Sequence, residues 1–316
     1  MDRPRRRPGG LIWALGLGLA AASPAPVPIA AMRWIAPGAD RVRILTRRPP
    51  ECLIRPQNPD QAYLVDLGRA AFRTPMLLGG QSARAGLSCE SCHRNGRDNR
   101  DFAFPGISGA VGTADVKNFL FSSHRGNHLN QARVIPDLGG PKGQLKIDQS
   151  PQSAALETFT LGLITEEFDG PPPSSSINKG IAAYVRALDP RACRAKLDEP
   201  VSLAGDLADV DLAVRTAQAA LAHGDPASAI MMLAGARTGL GHVSERYSVG
   251  NLADQRQRLR LADHGLADVI KAVRDRDAGV SAQLAAWPVQ ARALRSSLMR
   301  HEPQSLYRAD RIARLP

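Results

Sequence analysis

The five residues Cys89-Glu90-Ser91-Cys92-His93 constrain this chain more than any other stretch. Two cysteines three positions apart, followed at once by histidine, form the attachment string of a c-type haem: both sulfurs add to the porphyrin vinyl groups and the imidazole takes the iron. The string implies one covalent haem c, bound through Cys89 and Cys92, with His93 as proximal iron ligand. A thiol redox pair and half of a zinc site are the competing readings. The first needs a βαβ setting and the second a further ligand pair at short spacing, and the sequence offers neither.

The N-terminus bears on the compartment in which such a haem is attached. Residues 1–7 are rich in arginine, residues 11–22 form an apolar run, and small residues and prolines fill 23–31. That order reads as a signal peptide or an N-terminal anchor over residues 1–31, and it places the body of the chain in the periplasm or otherwise outside the cytoplasm. In an oxidising compartment two leftover cysteines pair, so a disulfide between Cys52 and Cys193 is expected. Formal net charge is +11, and removing residues 1–31, which carry Arg3, Arg5, Arg6 and Arg7 against Asp2, leaves +8. Such a balance suits a solvated, arginine-rich surface, or steering toward an acidic redox partner protein or an anionic membrane surface. Nucleic acid is not an expected partner of an exported haem protein, and no sequence feature specifies an oligomeric state.

Residues 32–58 are rich in proline and arginine without periodicity, and read as an extended lead-in. A helix follows Asn58-Pro59-Asp60 and runs to about Arg73, before Pro75. Leu64, Gly68 and Phe72 share one of its faces. A mid-helix glycine costs about 1 kcal/mol relative to alanine, so Gly68 implies the close approach of another backbone. A second helix over 177–188, capped by the serines at 174–176 and ended by Pro190, carries Ile177, Ile181, Tyr184, Val185 and Leu188 on its apolar face. Beyond Pro200 the composition turns to alanine, leucine, arginine and aspartate, with apolar positions at steps of three and four, as in Leu207, Val210, Val214, Ala217 and Leu221. About four amphipathic helices are expected there, with turns at Gly224-Asp225-Pro226 and Gly279, and with Pro288 kinking the last helix or marking its true start. The fold class is therefore all-α: a haem domain over 59–196 and an antiparallel helical bundle over 200–316. Met231, Met232, Trp287, His223 and His264 fall in or beside the bundle seams and are expected as core or surface residues.

The haem string, the preceding Leu67-Gly68-Arg69-Ala70-Ala71-Phe72 and the closing Ile181-Ala182-Ala183-Tyr184-Val185-Arg186-Ala187-Leu188 resemble the crossing terminal helices of the cytochrome c fold. More narrowly, the first helix with Ser88-Cys89-Glu90-Ser91-Cys92-His93 is similar to the opening of a domain in the bacterial di-haem cytochrome c peroxidase and MauG family. The resemblance covers about residues 60–190 and implies a cytochrome c-like domain. Members of that family carry two haem motifs, one haem reacting and the other relaying electrons, whereas this chain has one. Peroxidase chemistry by that scheme would need an external electron donor.

An electron-carrying cytochrome c closes the distal side of its iron with a methionine, which raises the potential. No methionine lies between His93 and Met231. The remaining distal candidates are His124 or His128, Met76 upstream of the motif, or no protein ligand. The family resemblance favours a downstream histidine, because its peroxidatic haem has one. A peroxidase also needs an acid-base group, for which Glu166 and Glu167 are the candidates, and a cation for developing negative charge, for which Arg125 is. The sequence thus supports an electron-transferring mono-haem cytochrome of a periplasmic redox assembly, with the bundle as docking module. Its rival is a haem peroxidase acting on hydrogen peroxide or oxidising a partner protein. A haem-based sensor with the bundle as output is a third reading.

Overall fold

A computed structural model describes residues 28–126, 129–141, 145–193 and 198–315. They are mostly helical, and the chain is all-α. Short helices α1 (Arg41–Thr46), α3 (Gly80–Ala85) and α4 (Cys89–Cys92) flank the longer α2 (Pro59–Phe72). After a long irregular stretch come α5 (Ala155–Gly162), which runs on into a π turn (Leu163–Glu167), and α6 (Ser175–Ala187). The bundle consists of α7 (Leu203–Ala222), α8 (Pro226–Arg246), α9 (Ala253–Arg274) and α10 (Val280–Met299), and a final turn, α11 (Ala309–Ile312), follows it. Strands β1 (Arg47–Arg48) and β4 (Glu199–Pro200) pair antiparallel, as do β2 (Thr113–Ala114) and β3 (Arg133–Val134).

Local chemistry sets the helix starts. The Asn58 side chain accepts from the Gln61 N–H at 3.0 Å, with Pro59 in the first turn and Asp60 at the positive end of the helix dipole. Ser174, Ser202 and Asp225 cap α6, α7 and α8 in the same way, at 3.1, 3.1 and 2.9 Å. Helices α2 and α6 cross where Gly68 meets Gly180: a Cβ on Gly68 would land on the Gly180 carbonyl, and one on Gly180 would come within 2.9 Å of the Leu64 oxygen. The two glycines let the backbones touch, which is the close approach expected of Gly68. Helix α10 starts at Val280 and continues through Pro288, with Trp287 buried beside it.

One buried cluster joins the two halves of the chain. Leu67, Ala70 and Leu77 belong to the same core as Val210, Met232, Leu240 and Leu298. A second, smaller cluster gathers Val65, Phe72, Tyr184, Val185 and Leu188 at the α2–α6 crossing. The 32–58 stretch is not simply extended. It carries α1, whose Ile44 and Leu45 are buried, and Leu45 packs against Ile29, Leu306 and Ile312. The buried Arg246 guanidinium donates to the Leu45 and Leu306 carbonyls, both at 2.9 Å, and ties the lead-in to the C-terminal segment. Two buried apolar residues are too few to show as a period, so a proline-rich sequence conceals this turn. The expected pair of Cys52 and Cys193 is a disulfide, with Cα atoms 5.0 Å apart across 141 residues. Among the described residues no helix is long and apolar enough to cross a membrane, and the N-terminal apolar run lies outside the described residues.

Candidate functional site

A single helical turn displays the motif. Cys89 and Cys92 are three residues apart in α4 and so share one side of it. The turn is held at its start by the Ser88 N–H, which donates to Ser91 Oγ at 3.1 Å, and at its end by Asn99, whose side chain and backbone N–H donate to the Ser91 and Cys92 carbonyls. The chain then reverses through Asn95 and Gly96, both in the left-handed region at φ 52° and 73°, conformations that asparagine tolerates and glycine favours. A side chain on Gly96 would also run into Leu188.

Cys89 and Cys92 are both free thiols, partly buried against core residues. Burial pushes each thiol up to about 12, so both stay protonated at neutral pH and lack the thiolate of a redox-active pair. His93 Nδ1 lies 3.0 Å from the Pro136 carbonyl, and its ring packs 6.3 Å from that of Phe72. A carbonyl only accepts, so Nδ1 carries the proton and the Nε2 lone pair is left for a metal. Burial lowers the imidazole to about 4, against the opposing pull of the Pro136 carbonyl, and the ring is neutral at pH 7.

Pro136 is itself fixed from both sides. The Leu138 N–H donates to the Gly96 carbonyl at 3.0 Å, and Asp137 takes a bidentate grip from Arg97 at 2.7 and 2.6 Å. Arg97 also reaches Cys52 Sγ at 3.2 Å, next to the disulfide. None of Pro136, Arg97 and Asp137 was expected from the sequence. The sole local signal is a proline and an aspartate closing the Val134-Ile135 pair.

Behind the motif lies a network of charges. Glu51 accepts from Arg69 at 2.7 Å, from Arg73 at 3.1 Å and from the Tyr184 hydroxyl at 2.7 Å. Asp209 of α7 pairs with Arg69 at 2.8 Å and Arg73 at 3.5 Å, and Arg73 reaches Glu90 of the motif at 3.5 Å and Asn95 at 2.8 Å. The bundle thus reaches the motif through Arg73, which Asp209 shares with Glu90. Burial raises the Glu90 carboxyl, with Arg73 opposing it.

The candidate catalytic residues do meet. Arg125 pairs with Glu166, and its other guanidinium nitrogen lies 3.7 Å from Glu167. Ser122 Oγ donates to the Glu166 carbonyl at 2.6 Å, and Ser123 donates twice to Asp169 at 2.8 Å, which staples the 122–125 loop onto the π turn. π turns recur at functional sites. His124 is exposed, and Met76 is 55% exposed in the turn Pro75–Leu77. His128 lies outside the described residues. Among the described residues, none of Met76, His124, Arg125, Glu166 and Glu167 shares a hydrogen bond, ion pair or ring contact with Cys89, Cys92 or His93. A row of rings, Phe102, Phe104, Phe121 and Phe168, links neighbours at 6.4, 5.6 and 5.5 Å and leads from the loop after the motif to the end of the π turn.

Two unbonded thiols on one turn and a neutral imidazole with its Nε2 lone pair available fit a covalent haem. A haem brings four equatorial nitrogens and needs one protein ligand at the least. Among the described residues no cluster of three or more His, Cys, Asp or Glu side chains could hold a bare metal ion, as zinc would require. The chain matches no known protein family, no curated protein and no solved structure.

Proposed function

We propose that this chain is an exported mono-haem c-type cytochrome that passes electrons within a periplasmic redox assembly. Its haem domain is cytochrome c-like and akin to those of the cytochrome c peroxidase and MauG family. The observation that carries the reading is the hydrogen bond from His93 Nδ1 to the Pro136 carbonyl, which leaves Nε2 as the proximal iron ligand. Haem iron, when bound, supplies a one-electron couple. Cys89 and Cys92 anchor the macrocycle, Phe72 backs the imidazole, and the glycine crossing of α2 and α6 holds these residues in register. The distal side of the iron takes His124, His128 or Met76, or no protein ligand. The basic surface attracts an acidic redox partner.

Periplasmic expression of the full chain with haem c maturation tests the proposal. The expected product carries one covalent haem, absent from the Cys89→Ala, Cys92→Ala variant. A chain exported with both thiols unmodified overturns it. Single alanine exchanges at His124, His128 and Met76 identify the distal ligand by the change in spectrum.

A second reading, a haem peroxidase, is favoured by the meeting of Arg125 with Glu166 and Glu167 on one turn. There the carboxylates would move a proton and Arg125 would balance developing negative charge. A low-spin haem unresponsive to peroxide refutes this reading. So does peroxide turnover that is unchanged in Arg125→Ala.

A further inference from the structure

The described chain begins at residue 28 against the C-terminal segment. Ile29 is buried with Leu306 and Ile312, and the Ala30 N–H donates to the Glu245 carboxylate at 3.1 Å. The end of α8, the start of α9 and the end of α10 lie at the same end of the molecule: Gln255 Nε2 and His301 Nδ1 are 3.1 Å apart, and the Tyr247 hydroxyl donates to the Leu298 carbonyl at 2.7 Å.

The same end is basic. Arg33, Arg256, Arg258, Arg300, Arg311 and Arg314 are all exposed there, and none has an ion-pair partner among the described residues. The carboxylates of the same segments are fewer, namely Asp40, Glu245, Asp254, Glu302 and Asp310; of these Asp310 pairs with Arg308 at 3.4 Å and Glu245 takes the Ala30 N–H. Met299, 51% exposed, stands next to Arg300 as an apolar group within the arginines. Immediately upstream of residue 28 the sequence holds its apolar run at 11–22 and the four arginines of residues 1–7.

We propose that this end of the molecule is a membrane-facing surface that takes the acidic headgroups of an anionic bilayer. The unpaired arginines supply the attraction. Three features coincide: the point where an apolar, arginine-led segment joins the body, an excess of unpaired arginine, and an exposed methionine. An acidic protein would explain the arginines but not the exposed methionine among them, nor an apolar, arginine-led sequence that joins the body at the same end. The surface is independent of the haem, so its test does not depend on cofactor attachment.

The test is sedimentation of the full chain with vesicles of phosphatidylcholine alone and with a third of phosphatidylglycerol. Each basic side chain near an anionic surface is worth about 1 kcal/mol, or roughly fivefold in partition. Preferential binding to the anionic vesicles is expected, falling steeply between 50 and 500 mM salt as screening shortens from about 14 to 4 Å. The variant Arg300→Gln, Arg311→Gln, Arg314→Gln should lose on the order of a hundredfold of that preference at low salt. The control Arg274→Gln, Arg276→Gln, at the far end of α9, should keep it. Equal partition onto both vesicles means that the apolar segment alone binds, and overturns the proposal. So does a triple variant that binds like wild type, or salt-sensitive retention of the chain by an acidic protein with no preference for anionic vesicles.

Discussion

Exchanging Glu51 for glutamine isolates the charge network behind the motif. Burial alone would raise the Glu51 carboxyl, but the Arg73 and Arg69 guanidiniums and the Tyr184 hydroxyl override it and bring it from 4.5 down to about 2. A carboxylate held that far below its unfolded value contributes about 3 kcal/mol to stability at neutral pH. The folded value is the lower one, so this contribution is complete above about pH 4.5 and fades as pH falls from there toward 2. Glu51→Gln keeps an acceptor for Tyr184 and removes the charge, leaving Arg69 and Arg73 to Asp209 and Glu90. Urea unfolding of wild type and variant at pH 7, 5, 4 and 3 is the assay. The variant should be less stable by about 3 kcal/mol at pH 7, and the gap should narrow steadily below pH 4.5. Carboxylates away from the network titrate alike in both proteins and cancel in the difference, whereas Glu90, which the Glu51 charge helps to raise, adds a smaller contribution of its own. A gap that stays constant from pH 7 to 3, or that widens on acidification, refutes the assignment.

Gly68→Ala should destabilise by about 2 kcal/mol, because the new Cβ meets the Gly180 backbone, which has no rotamer to change; thermal unfolding showing the gain of about 1 kcal/mol expected from helix propensity would contradict the crossing. Replacing Cys52 and Cys193 together by serine opens a closure of 141 residues and should cost about 3–5 kcal/mol in denaturant unfolding, with the mobility of the wild-type chain changing on reduction. Arg125→Ala removes a half-exposed ion pair and should change stability by less than about 1 kcal/mol, so any larger loss would mean that the loop staple depends on it.

The parts of the fold legible in the sequence are those where a long repeat or a costly residue leaves a trace. Helices α2 and α6 to α10 are long enough for apolar residues to recur on one face, and Asn58, Ser174 and Asp225 mark where three of them start. Gly68 is legible because glycine inside a helix is a cost that some contact must offset. The lead-in helix α1 buries two side chains in six residues, below the length at which a period shows. The Pro136 carbonyl is a backbone atom 43 residues from His93, and sequence carries no mark of which carbonyl a histidine will find. Arg125, Glu166 and Glu167 stand out in the sequence by their chemistry alone; their meeting depends on Ser122 and Ser123 docking on the π turn, which no residue type announces.

The sequence suggests a haem domain followed by a separate bundle, yet the charges on α2 argue for one folding unit. Arg69 and Arg73 are largely buried, and two carboxylates pair with both of them, Glu51 from the lead-in and Asp209 from α7, while Glu90 pairs with Arg73 alone. A chain cut before α7 would keep both arginines and lose Asp209, together with the apolar cover that Val210, Met232 and Leu233 give to Leu67 and Ala70. Breaking a buried pair on one side costs about 3–5 kcal/mol, comparable to a large part of a domain's whole stability. Helix α7 is therefore a wall of the segment that carries the motif, joined through Arg73 to the turn that holds Glu90.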